Sequence, residues 1–196
     1  MREYLVLTII LPICLYWEQY IVKRNDILDV GHWAMTWSYV QLDPMYIRCV
    51  NMFFGAAASA VIPVLMMYGT KRHVNIYAIG TILRCITGTM TQLPYALENT
   101  GFNEGELGGF GADQSMIWFF SGHAFSISCC TLVLQNRVPD LYVYMWVCIQ
   151  VLLILWYLSI RAHYSIDLFV GTVLPFVLNA WWCVSPVAAA GTRPPI

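Results

Sequence analysis

The fold class of this chain is decided by residues 139–184, which read PDLYVYMWVCIQVLLILWYLSIRAHYSIDLFVGTVLPFVLNAWWCV. Two apolar runs, 139–160 and 164–184, are separated there by three residues. Each run has about the 20 residues that an α-helix needs to cross roughly 30 Å of hydrocarbon. The stretch therefore predicts two membrane-spanning helices joined by a tight turn.

The rest of the chain has the same apolar character. Of its 196 residues, 59% are hydrophobic and 11% are charged, whereas a soluble domain has about 45–50% apolar and roughly 25% charged residues. A soluble core of this length cannot bury the excess, so the surplus must face lipid. A net charge of -1 also excludes a polyanion-binding surface. The composition predicts an integral membrane protein that binds no nucleic acid.

Six apolar runs are long enough to span a membrane. The first contains Pro12 and Glu18, and a cleaved signal peptide is its rival interpretation, although no small-residue cleavage site follows it. No segment repeats another and no linker divides the chain. We expect one all-α domain over residues 1–196, a six-helix polytopic bundle with an unstructured tail at 186–196. The predicted spans are about 4–22, 48–68, 74–94, 115–135, 139–160 and 164–184.

The connections and the cysteines give weaker signals. Residues 23–45 mix charges with tryptophans, as in a helix lying in the membrane interface, and the 95–114 loop is rich in glycine and acidic residues.

The seven cysteines all lie in or next to apolar runs, where we interpret them as small buried hydrophobes. Basic residues favour cytosolic termini by five to three, namely Arg2, Lys71, Arg72, Arg137 and Arg193 against Lys23, Arg24 and Arg161.

Polar residues in or beside the apolar runs are the candidates for chemistry, because a charge near the bilayer centre costs at least ~2.5–3.5 kcal/mol. They are Arg84, Ser121, Gly122, His123, Arg161, His163 and Asp167. A helical hairpin separates the fourth span's start from the sixth's, so both lie on one side of the bilayer. We therefore expect two histidines, a carboxylate and one or two arginines to converge at one membrane face.

The chemistry of such a set points to phosphoryl transfer. Residues 163 and 167 share a helix face, so the carboxylate of Asp167 can fix the tautomer of a nucleophilic His163, while His123 supplies and removes protons. Phosphate oxygens would be held by Arg84, Arg161 and the backbone N–H groups at Ser121 and Gly122. Each residue also has a simpler interpretation, as a packing histidine or as an arginine paired with a carboxylate.

These residues resemble a known family. Phe-Phe-Ser-Gly-His (119–123) followed by Arg-Ala-His-Tyr-Ser-Ile-Asp (161–167) resembles the type 2 phosphatidic acid phosphatase superfamily. The stretch 84–94, which ends in Thr-Gln-Leu-Pro, resembles a sequence block of one branch of that superfamily. This branch contains the sphingomyelin synthases and plant phosphatidylcholine:diacylglycerol cholinephosphotransferase. The resemblance implies a six-helix fold and head-group transfer between lipids. It also implies that His163 is a nucleophile working through a phosphohistidine, Asp167 its partner and His123 the general acid and base.

Three departures refine the resemblance. The phosphatases carry Ser-Arg six to seven residues before the second histidine, where this chain has Trp156 and Tyr157, and their Lys-x6-Arg-Pro block is missing. Both differences favour a transferase. Sphingomyelin synthases carry Cys-Gly-Asp shortly before Ser-Gly-His, and Ser115, Met116 and Ile117 stand in that region here, which argues against ceramide as the acceptor.

The predicted function is therefore the transfer of a phospho-head group, most plausibly phosphocholine, from a phospholipid to a diacylglycerol-type acceptor, without a metal or other cofactor. Trp118 and Tyr164 are candidates for contact with choline or, equally, for interface anchors. The alternatives are a lipid phosphate phosphatase and a non-catalytic subunit of a membrane complex; a homo-oligomer is also open. We expect a multi-pass endomembrane protein, of the endoplasmic reticulum or Golgi kind, with its site on the non-cytosolic side.

Overall fold

The computed structural model describes residues 44–90, 92–94, 116–118, 120–160 and 163–184. The predicted span 4–22, the 95–114 loop, the 186–196 tail and nearly all of the predicted interfacial helix 23–45 lie outside these residues. The described elements, in chain order, are α1 (Pro44–Ser59), α2 (Val61–Tyr68), α3 (Lys71–Met90), β1 (Gln92–Pro94), β2 (Met116–Trp118), α4 (Gly122–Leu134), α5 (Asp140–Ser159) and α6 (Ser165–Val184).

The described part of the chain is helical, as predicted, apart from one pair of three-residue strands. Within it, three helical stretches are long and apolar enough to cross a membrane: Met45–Tyr68, Asp140–Ser159 and Ser165–Cys183. They correspond to the second, fifth and sixth predicted spans. The chain is thus a helical membrane protein.

The first of these stretches is interrupted at Ala60, between α1 and α2. Pro63 lies four residues after Ser59, the last residue of α1. A proline inside a helix has no N–H to donate, and its ring collides with the carbonyl four residues earlier. Pro63 therefore accounts for the break, and the hydroxyl of Ser59 donates to the carbonyl of Gly55 at 2.8 Å on the α1 side of it.

Two predicted spans differ from the structure. The predicted helix 115–135 begins only at Gly122, and the predicted helix 74–94 ends at Met90. Residues 92–94 and 116–118, which lie between these two helices, pair as an antiparallel ribbon, with Leu93 opposite Ile117. The apolar composition was identified correctly, but Pro94 and the Met-Ile-Trp of β2 favour extended backbone over helix. The ribbon joins the end of α3 to the start of α4.

Helix α4 is the centre of the bundle and packs against all five other described helices. Ten of its 13 residues are buried, which is the pattern of a core helix rather than a surface one. At 1.5 Å per residue it is about 20 Å long, so it is shorter than the hydrocarbon layer. The side chain of Ser121 accepts a hydrogen bond from Ala124 N at its start, and Asn136, with a φ of 63°, follows its end.

The outer faces of the surrounding helices are apolar and exposed. Each of the helices α1, α2, α3, α5 and α6 presents large hydrophobic side chains outward, and examples are Met52, Met66, Ile86, Leu152 and Phe169. A water-soluble monomer rarely exposes a contiguous apolar surface of more than a few hundred Å². These faces are therefore the surface that contacts lipid.

The cysteines do not all follow the sequence interpretation. Cys129 and Cys130 are buried in α4, as expected for small hydrophobes. Cys49, Cys148 and Cys183 are free but exposed, and Sγ of Cys183 accepts a hydrogen bond from Arg72 at 2.8 Å. Cys85 is disulfide-bonded, so the interpretation is wrong for these four residues.

A close backbone contact fixes α4 on α6. The N–H of Ser121 donates to the carbonyl oxygen of Asp167 at 3.1 Å. One turn further along α6, a Cβ placed on Gly171 would lie 2.7 Å from the carbonyl oxygen of Ser121 and 3.2 Å from Cβ of Ala124. Glycine at 171 is what allows the main chain of Ser121 to lie this close.

We predict that Gly171→Ala destabilises the protein by about 1–3 kcal/mol, the usual cost of overpacking, because the added methyl meets backbone that cannot move away cheaply. Thermal unfolding of the purified protein in detergent should show this destabilisation as a lower midpoint temperature. Gly55→Ala is the matched control: a Cβ there meets nothing within 4 Å, so its midpoint should stay level or rise. Equal midpoints for the two variants would contradict the packing account.

Candidate active site

His163 and Asp167 form a hydrogen-bonded pair at the start of α6. Nδ1 of His163 lies 2.7 Å from Oδ2 of Asp167, whose side chain is fully buried, whereas the imidazole is 17% exposed. An ionised carboxylate only accepts hydrogen bonds, so Nδ1 is the donor. Asp167 lies in the first turn of α6, where the helix dipole stabilises a negative charge. The pair therefore leaves Nε2 as the imidazole nitrogen that can react.

The side chain of Ser121 lies next to Nε2 of His163. Its hydroxyl oxygen lies 3.5 Å from Nε2 of His163 and also caps α4. The start of α4 presents backbone N–H groups without helical partners, which is a favourable environment for an anion. A phosphate at this helix start would therefore lie beside Nε2 of His163.

The ring of Tyr157, from α5, lies next to both histidines. The centroid of Tyr157 is 4.9 Å from that of His163 and 5.7 Å from that of His123. The separation of the two imidazole centroids is thus at most the sum of these distances. Within the described residues, the His123 ring makes no hydrogen bond, so its nitrogens are available to a substrate. The structure brings the two histidines, 40 residues apart in sequence, to one end of the bundle.

Arg84 lies against the start of α4. Its Nε donates to the carbonyl of Phe120 at 3.2 Å, and a Cβ placed on Gly122 would lie 3.1 Å from both Cζ and Nε of Arg84. Because Gly122 has no side chain, the guanidinium group of Arg84 can pack directly against it. This contact holds a cation beside Ser121 and His123, at the position where a phosphate would need one.

The remaining predicted site residues differ in how the structure describes them. Tyr164 is buried in a core cluster with Tyr157 and Leu168. Trp118 ends β2, for which only the backbone is described, and Arg161 lies outside the described residues. Their roles in binding head group or phosphate stay predictions. Within the described ranges, no three histidine, cysteine or acidic side chains converge as metal ligands.

Sequence reasoning missed two residues of the site. Tyr157 entered only as a departure from the phosphatase pattern, and Gly171 was not singled out. A signal for Gly171 was present, because residues 163, 167 and 171 are spaced by four and so share one helix face. No spacing pattern pointed to Tyr157, since its contacts with His123 and His163 join three different parts of the bundle.

The fold and the site together define a helical membrane protein with a buried carboxylate–histidine pair facing a second histidine. A family model described as AtPDCT1/2, the phosphatidylcholine:diacylglycerol cholinephosphotransferase-like family, matches residues 33–181. That is more than half of the chain and includes every candidate site residue, and the chain belongs to this family. A search of curated proteins finds no match.

We predict that Gly122→Ala lowers head-group transfer by about tenfold, the scale of losing one well-placed charged contact. The added methyl would lie 3.1 Å from Arg84, and the guanidinium must shift to relieve the contact. Initial rates with and without the substitution measure the effect, and the unfolding midpoint should change by no more than a few degrees. An unchanged rate would show that the position of Arg84 does not matter to the reaction.

Proposed function

We propose that the chain is a membrane lipid phosphotransferase that moves phosphocholine between glycerolipids through a phosphohistidine on His163. The observation that carries the proposal is the buried Asp167–His163 pair, with Nε2 of His163 beside the capping Ser121 at the start of α4. Membership of the cholinephosphotransferase-like family supports phosphocholine as the group that moves. The proposal includes the six-span bundle, of which the described helices are part.

The first half of the reaction forms the intermediate. Nε2 of His163 attacks phosphorus of phosphatidylcholine, and the bond from phosphorus to the glycerol oxygen breaks. His123 gives its proton to that oxygen, so diacylglycerol leaves as a neutral alcohol. Asp167 stabilises the positive charge that develops on the imidazole of His163, and Arg84 holds the phosphate oxygens as the geometry changes.

The second half regenerates the enzyme. The hydroxyl of a second diacylglycerol attacks phosphorus, its proton passes to His123, and the bond from phosphorus to nitrogen breaks. Both alcohols are lipids, so the two halves are chemically alike and the transfer runs in either direction. Water can replace the lipid hydroxyl, in which case free phosphocholine is released. Excluding water from the site therefore decides between transfer and hydrolysis.

The apolar outer faces support a lateral route for lipid. Large hydrophobic side chains cover the outside of the surrounding helices, so diacylglycerol can approach from the bilayer without entering water. The substrates are then a membrane phospholipid and a diacylglycerol-type acceptor. The location we propose is an endomembrane, with the site on the non-cytosolic side, as the distribution of basic residues favours.

The test is exchange of label between lipids. Purified protein in vesicles containing choline-labelled phosphatidylcholine and unlabelled diacylglycerol of different chain length should form labelled phosphatidylcholine with the new chains. His163→Ala should abolish the exchange. His73→Ala is the matched control, because His73 contacts Thr70 at the opposite end of α3 from Arg84, and it should retain activity. Phosphate release from phosphatidate without exchange would favour the phosphatase, and no turnover of either lipid would favour a non-catalytic subunit.

We predict that Asp167→Asn lowers transfer by at least about 100-fold, the range of general acid–base effects. The amide can donate to Nδ1 and so place the imidazole proton on Nε2, which blocks the nucleophile. The amide has nearly the same shape, so the protein should still fold and elute as a single species. Transfer rates measured beside Asp140→Asn, a substitution of an acidic residue in the first turn of α5, separate the loss of this carboxylate from a general charge effect.

A further inference from the structure

Tyr157 is a buried aromatic residue whose ring contacts the imidazoles of both histidines. It is 4% exposed, and its ring also lies 6.0 Å from that of Phe54 on α1. It belongs to the core cluster that joins α1, α4, α5 and α6. A ring held from several sides cannot swing away from the imidazoles without disturbing that core.

The position of the ring has a chemical consequence. His163 is the residue on which the proposed intermediate forms, and the Tyr157 ring covers part of its imidazole. The same ring packs against His123, the proposed base that takes the proton from the attacking hydroxyl, and it occupies space there that water would otherwise fill. The acceptor attacks phosphorus opposite the breaking phosphorus–nitrogen bond, so a ring packed on the imidazole of His163 leaves that path open to the lipid hydroxyl.

The residue type matters as well as the position. A buried aromatic ring excludes water, whereas a polar or charged side chain in its place would attract water into the site. A ring at this point therefore favours an acceptor other than water.

We propose that Tyr157 is the positioning residue that favours transfer over hydrolysis, by holding its ring against both histidines and shielding them from water. The inference rests on the proposed function, because it assumes an intermediate on His163. The hydroxyl group of Tyr157 has no part in it, and the aromatic ring is sufficient.

The test compares two products in one reaction. With choline-labelled phosphatidylcholine and diacylglycerol in vesicles, Tyr157→Leu should raise the ratio of released phosphocholine to transferred label by about tenfold. Tyr157→Phe should keep the wild-type ratio, because it retains the ring. Tyr77→Leu is the matched control: it removes a buried tyrosine ring, 6% exposed, that belongs to a different core cluster from Tyr157, and its ratio should equal that of the wild type.

Two outcomes would overturn the proposal. The first is that Tyr157→Leu loses transfer and hydrolysis in the same proportion, which would mean that the ring only supports the fold. The second is that Tyr77→Leu raises the ratio as much as Tyr157→Leu does. A second measurement does not need turnover. Modification of His163 by diethyl pyrocarbonate, followed by mass spectrometry, should be several-fold faster in Tyr157→Leu than in the wild type or Tyr157→Phe. Absence of exchange in the wild type would contradict the proposed function, while unchanged labelling would contradict the shielding.

Discussion

The close contact between Ser121 and α6 is the constraint on which the rest of the site depends. The N–H of Ser121 donates to the carbonyl of Asp167, and its own carbonyl lies where Gly171 has no side chain. This contact puts the start of α4 beside the carboxylate that holds His163. The His123 ring, two residues further, is then carried to Tyr157. One backbone contact thus brings together groups from distant parts of the chain.

The short central helix is the second consequence. Since α4 begins at Gly122 rather than at residue 115, its N-terminal groups lie inside the bundle instead of at its surface. The residues that a longer helix would have used form the ribbon with β1, which ties the end of α3 to the start of α4. Arg84 is thereby placed over Gly122. Because the central helix α4 is short, the polar groups at its start lie inside the bundle rather than at its end, while lipid still surrounds the protein.

Much of this arrangement was predictable from sequence, and the remainder has identifiable physical causes. The apolar runs at 139–160 and 164–184 predicted the ends of α5 and α6 to within one residue, because length and hydropathy alone determine such helices. The start of α4 was misplaced because hydropathy does not distinguish an apolar strand from an apolar helix. The pairing of His163 with Asp167 followed from a spacing of four. Tyr157 did not follow from any spacing, because tertiary packing alone brings it to the histidines.

The central claim is that His163 carries the head group between two lipids, and mass spectrometry of the protein tests it most directly. Purified protein is incubated with phosphatidylcholine in the absence of acceptor, quenched under alkaline conditions that preserve phosphohistidine, and digested. The account predicts a phosphocholine adduct on the peptide containing His163, which disappears when diacylglycerol is added. Transfer that proceeds while His163 remains unmodified, or an adduct on another residue, would contradict it.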